Sequence, residues 1–106
     1  MKQILTVLIP TYNSHKSFMK VVKSYKNDSR VKIIVSDDSD DYEEKKLIQF
    51  LCEKFSIYYI NGPRLSPVKN WNKLLKNINT PFFVLNHHDD YPNNLNFLDH
   101  LDNENI

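Results

Sequence analysis

The sequence predicts an α/β protein: an open parallel sheet of about four strands with flanking helices. Three observations carry this. Short β-rich apolar runs alternate with stretches whose apolar residues recur at helical spacing. The connections between them are short, as in βαβ units. Polar and acidic residues gather directly after the apolar runs, where right-handed crossovers bring all the strand C-termini to one edge.

The elements follow in order. "ILTVLI", Ile4 to Ile9, is a continuous apolar run that reads as a strand covered on both faces and ended by Pro10. Phe18, Val21, Val22 and Tyr25 form a helical stripe, with Ser14 as its expected N-cap and "KNDS" as its end. "VKIIVS", Val31 to Ser36, is the second strand. Leu47, Ile48, Leu51 and Phe55 mark a second helix, with Cys52 at the edge of the stripe. "IYYI", Ile57 to Ile60, is the third strand, closed by the turn "NGP". Ser66 and Pro67 make an N-cap and first-turn pair for a third helix with the stripe Val68, Trp71, Leu74, Leu75 and Ile78. "FFVL", Phe82 to Leu85, is the fourth strand, and "NNLNFLDHL" begins a fourth helix before a polar end. The whole is Rossmann-like, and residues 1–106 are expected to form one domain.

Composition narrows the chemistry. Apolar residues make up 41% of the 106 residues, enough for a core. Fourteen Lys and Arg against thirteen Asp and Glu leave a net charge of +1, which gives no argument for a nucleic-acid partner. Cys52 is the single cysteine, so an internal disulfide and a cysteine zinc site are excluded, and a reducing cytoplasm fits. No apolar stretch approaches the ~20 residues of a membrane span, which leaves docking at the inner membrane face open. Gly62 is the only glycine. A Walker or dinucleotide loop needs several, so a phosphorylated ligand must be held by a metal, by basic side chains or by a helix N-terminus.

Open α/β sheets bind ligands outside the strand C-termini, at a switch in strand order. The residues there read "PTYNS", "SDDSDD", "NGPR" and "NHHDDYP". Asp89 and Asp90 offer hard oxygen donors for a divalent cation, which suits a diphosphate, or one of them caps the next helix. His87 and His88 are adjacent and on extended backbone point to opposite sides, so they do not share a metal. Asp37 and Asp38 can accept from a base N–H or ribose hydroxyls, or cap the second helix. Arg64 and Lys69 can meet phosphate or stand as surface charges. Trp71 belongs to an apolar stripe, and Asn70 or Asn72 beside it can face the crevice.

These residues resemble the nucleotide-sugar-binding half of the family 2 glycosyltransferases, which have the GT-A fold. "VLIPTYN" is similar to the family's first strand and nucleotide loop, and "IIVSDDSDD" to its second strand and acidic pair. "KNWNKLL" resembles the Asn-bearing helix, and "FFVLNHHDDY" the strand leading into the D-x-D-type metal motif. The resemblance implies transfer of a sugar from a nucleotide diphosphate-sugar to a glycan or lipid-linked acceptor, as in polysaccharide biosynthesis. By position it implies that Pro10, Thr11 and Tyr12 line the nucleotide base and that Asp38 takes the base N–H, with Asp37 supporting the loop. It implies a ribose or sugar contact for Asp89 and Asp90 as ligand of Mn²⁺ or Mg²⁺, and Arg64 and Asn72 join the expected nucleotide-sugar contacts from their own place at that edge.

Three departures stand out. His87 replaces the leading acid of the metal motif, Ser39 stands where the family commonly has Gly, and family catalytic domains are considerably longer. The resemblance puts the general base in an acceptor-binding half, so no residue here is nominated for it. A non-catalytic nucleotide-sugar-binding remnant or regulatory module is the alternative. A receiver-like phospho-switch is disfavoured, because Ile60-Asn61-Gly62 stands where its acceptor Asp belongs. Truncation relative to a full catalytic domain is expected to expose apolar surface and favour self-association or marginal stability.

Overall fold

A computed structural model describes residues 3–61, 72, 75–87, 92 and 94–104. Strand β1 is Leu5–Thr11, helix α1 His15–Tyr25, β2 Val31–Asp37, α2 Tyr42–Lys54, β3 Tyr58–Asn61, β4 Phe82–Leu85 and α3 Phe97–Glu104. The strands form one sheet in the order β3-β2-β1-β4, and every pairing is parallel. The chain runs outward from β1 through β2 to β3, then returns to the other side of β1. The strand order therefore switches between β1 and β4.

Side chains alternate between the two faces of the sheet. Val7, Ile9 and Val35 pack with Phe18, Val21 and Val22 of α1, Ile48 and Cys52 of α2, and Leu98 of α3. Leu8 and Ile34 face the other way, with Ile60, Ile78 and Leu85 packed around them. Full burial of each such aliphatic or aromatic side chain contributes ~1.5–3 kcal/mol, which fixes the register.

Pro10 does not end β1, contrary to the sequence expectation; the strand runs on to Thr11. The reason lies in the alternation of backbone groups. The Thr11 carbonyl accepts from Asp38 N on the β2 side, and the Leu8 carbonyl accepts from Asn86 N on the β4 side. Pro10 therefore presents its missing N–H toward β4, whose ladder covers only Leu5 to Leu8. No hydrogen bond is lost there.

The helices bring further corrections. Ser14 occupies the N-cap position of α1, but its side chain makes no capping bond. Glu44 of α2 substitutes, accepting from His15 N at 3.0 Å. On α2 the stripe is shifted: Cys52 lies in the core, whereas Leu47 is exposed. Asp41 caps α2, its Oδ1 accepting from Glu44 N at 3.0 Å, so Asp37 and Asp38 are not needed for that task. Val68, Trp71 and Leu74 of the third predicted stripe lie outside the described residues. Asn72 and Leu75 are helical, Leu75 is exposed, and Ile78 packs on the second face. Helix α3 is tied to the opposite, N-terminal edge of the sheet by Arg30, which bonds Asp28 at 2.8 Å and Asp99 at 2.9 Å.

Candidate nucleotide-sugar site

At the C-terminal edge, β1 and β2 end in register, with Pro10 opposite Ser36 and Thr11 opposite Asp37. The Asp37 side chain is fully buried. Its Oδ1 accepts from Thr11 Oγ1 at 2.9 Å, from Ser39 N at 3.2 Å and from Ser39 Oγ; its Oδ2 accepts from Tyr59 Oη at 2.7 Å. A buried carboxylate is tolerable when its lone pairs are filled in this way. Burial and then the bond to Asp37 push the Tyr59 phenol well above its ordinary pKa, so it donates at neutral pH. The same burial raises the Cys52 thiol to about 12, with the Asp37 charge adding to it. Cys52 is a protonated core residue rather than a nucleophile.

This carboxylate organises two loops. Ser39 Oγ, donating to Asp37, also accepts from Asn13 N at 2.9 Å. Asn13 takes the left-handed backbone, φ 47°, and its side chain spans the gap: Nδ2 donates to Asp40 Oδ1 at 2.7 Å, and Oδ1 accepts from Asp41 N at 3.1 Å. Tyr12 Oη donates to Asp40 Oδ2 at 2.7 Å. His15 joins the α2 side through Glu44 Oε2, which accepts from its N and lies 2.6 Å from its Nδ1. The His15 backbone N–H and then its ring hold the Glu44 carboxyl below its ordinary pKa. The "TYNS" and "SDDSDD" loops thus form one wall.

On that wall Thr11 is buried with its hydroxyl committed to Asp37, Asp38 is nearly buried, and Pro10 and Tyr12 are partly exposed. Ser39 does not adopt a positive φ, so this position needs no glycine, and its hydroxyl bridges Asp37 to Asn13. Across the switch, β4 leads into Asn86, which is buried. Its Oδ1 accepts from Tyr25 Oη at 3.1 Å and its Nδ2 donates to the His87 carbonyl at 2.8 Å. His87 is exposed, and Asn72 is exposed on its helix. Arg64, His88, Asp89 and Asp90 lie outside the described residues. Among the described residues no group of three His, Cys, Asp or Glu could hold a metal ion.

Sequence reading missed Tyr59 as part of this edge; Asn13, Asp40 and Asn86 stand in the strand-end stretches it gathered there but were given no role of their own. Tyr59 stands opposite Val35, two residues before Asp37, and so shares its face, through a register that the strand pattern alone does not give.

A parallel sheet with a strand-order switch and an acid-bearing edge matches the N-terminal half of a GT-A fold. The sequence matches the Glycosyl transferase family 2 profile over residues 6–103, and the chain belongs to that family. Among solved structures it is similar to S. aureus TarS, with 25% identity and a TM-score of 0.74 over 94% of this chain and 19% of that one. TarS 1–349 in complex with UDP gives 25% identity and a TM-score of 0.74, over 94% of this chain and 31% of that one. A mannosyltransferase from Pyrobaculum calidifontis, in complex with GDP-Man and Mn²⁺, shares the fold at 14% identity and a TM-score of 0.68, over 86% of this chain and 29% of that one. The chain spans under a third of each of these structures. No curated protein matches.

Proposed function

We propose that this chain is the donor-binding part of a glycosyltransferase. It would take a nucleotide diphosphate-sugar for transfer to a glycan or lipid-linked acceptor. The observation that carries the reading is the wall at the ends of β1 and β2, beside the strand-order switch, in which Thr11 bonds Asp37, Tyr12 bonds Asp40 and Asp38 N bonds the Thr11 carbonyl. In this reading Pro10, Thr11 and Tyr12 line the base, and Asp38 accepts its ring N–H. Asp37 supports both loops without touching the ligand. Arg64 and Asn72 meet the phosphates or sugar, and Asp89 meets the ribose or sugar.

Asp90 would hold Mg²⁺ or Mn²⁺, since a carboxylate pair supplies the hard oxygen donors these ions prefer. The cation, when bound, would offset charge developing on the departing nucleoside diphosphate. UDP in one similar structure, and GDP-Man with Mn²⁺ in another, support the ligand class. We place the protein in the cytoplasm with peripheral docking at the inner membrane face. Phe83 and Val84, exposed on β4, support self-association or cover by a further part of the protein. No helix among the described residues is long and apolar enough to cross a membrane.

Thermal melts against a panel of nucleotide diphosphate-sugars, with Mn²⁺ or with EDTA, test the donor reading. A metal-dependent rise in melting temperature with one donor, lost in Asp90→Ala, is the expected outcome. No rise with any donor contradicts it.

A further inference from the structure

The outer face of the helical layer is a second surface with its own chemistry. Helices α1 and α2 leave a groove of about 390 Å³ between them. Met19, Leu47, Phe50 and Leu51 supply its apolar lining, and Lys16, Lys20 and Lys23 stand along the α1 side. These lysines recur at i, i+4 and i+7, so they form one row.

On α2 the outward stripe reads Tyr42, Lys46, Phe50 and Lys54, each one turn after the last. Tyr42 is 67% exposed and Phe50 60%, although the apolar core lies one helix diameter away. Lys46 Nζ lies 5.1 Å from the centre of the Tyr42 ring. Glu43 and Glu53 also lie on this exposed side and Glu44 stands by His15 and Lys16 at one end of the groove, so the five lysines still leave the face net basic.

Exposed aromatics interleaved with lysines suit a lipid interface. The rings enter the boundary between headgroups and acyl chains, while the ammonium groups stay at the level of the phosphates. A partner helix lying in the groove would leave the Tyr42 ridge uncovered. A planar surface meets the ridge and the lysine row together.

We propose that the α1–α2 face docks this chain on an anionic phospholipid bilayer, with Phe50 and Leu47 entering the headgroup region and Lys16, Lys20, Lys23 and Lys46 meeting lipid phosphates. This names the surface for the membrane docking in the proposed function and rests on that part of it alone. Helix α1 starts directly after the "TYN" loop, so docking sets the candidate donor edge beside the membrane, where a lipid-linked acceptor would be presented.

Co-sedimentation of the full chain with vesicles of phosphatidylglycerol and phosphatidylcholine, against vesicles of phosphatidylcholine alone, tests this. Binding to the anionic vesicles only is expected, weakened by added salt. Lys16→Gln/Lys20→Gln/Lys23→Gln should lower the partition coefficient roughly tenfold or more, and Phe50→Ser severalfold. Both variants should keep the wild-type melting temperature. Absence of vesicle binding, equal binding to both vesicle types, or unchanged binding by both variants would overturn the proposal. Binding of an acidic amphipathic peptide in place of vesicles would overturn it too. UDP titrations of the same proteins separate the two claims, because nucleotide binding and vesicle binding can fail independently.

Discussion

The two edges of the sheet each hold a charged side chain, and they satisfy it in opposite ways. At the N-terminal edge Arg30 is met by acids, bonding Asp28 and Asp99 with Asp102 at 3.7 Å. That arrangement joins α3 to the entry of β2. At the C-terminal edge the buried Asp37 is met by no cation among these bonds. Its donors are the hydroxyls of Thr11, Ser39 and Tyr59 and one backbone N–H. Opposite charges clamp elements together, whereas neutral donors let one carboxylate orient several loop residues at once. The first edge is built for attachment and the second for positioning.

Removing the central group should separate the two edges most clearly. Asp37→Ala strands the buried hydroxyls of Thr11 and Ser39 and removes one acceptor of the half-buried Tyr59; each unsatisfied buried group costs ~1–3 kcal/mol, so a loss of about 2 kcal/mol or more is expected in urea unfolding. Asp37→Asn keeps one acceptor oxygen and should lose less. A melting curve unchanged by Asp37→Ala would break the contrast.

The two left-handed residues sharpen it. Asn13 and Ser56 have φ 47° and 55°. Ser56 closes the turn after α2, where Ile57 N bonds the Cys52 carbonyl at 2.8 Å. Ser56→Gly relieves a strained backbone and should stabilise by about 0.5–1 kcal/mol. Asn13→Gly relieves the same strain but removes the bonds to Asp40 and Asp41, and should destabilise by about 1 kcal/mol. Opposite signs in the same unfolding assay are the expected result.

Smaller effects belong to the ion pairs. Arg30→Ala should lower the melting temperature less than Asp37→Ala does, and the loss should shrink as salt is added. Glu44 has a folded-state pKa below its unfolded value. Its contribution is therefore present above the unfolded carboxylate pKa and lost as pH falls through the folded one. The stability gap between wild type and Glu44→Gln should close on acidification below the ordinary glutamate range. A gap that widens there would reverse the assignment.

The parts legible in the sequence were those set by period and order. The four strands, the α1 stripe and the gathering of acids at one edge all follow from alternation and strand direction. What escaped was set by contacts between residues far apart in the chain. The tolerance of Pro10 depends on where β4 stops. The cap of α1 comes from Glu44, 29 residues downstream of His15. Tyr59 joins Asp37 only because β3 pairs with β2 in one register. The inward turn of Cys52 and outward turn of Leu47 follow from how α2 rolls on the sheet, which its shallow apolar pattern does not fix.

Calorimetric titration of UDP into the full chain with Mn²⁺, for wild type and Asp38→Asn, asks whether the edge built on Asp37 binds a donor nucleotide. Metal-dependent binding of a nucleoside diphosphate is expected, with GDP titrated in parallel, and at least tenfold weaker binding by Asp38→Asn, the equivalent of ~1.4 kcal/mol. Failure of both nucleotides to bind, or binding unchanged by Asp38→Asn, would contradict donor binding at this edge.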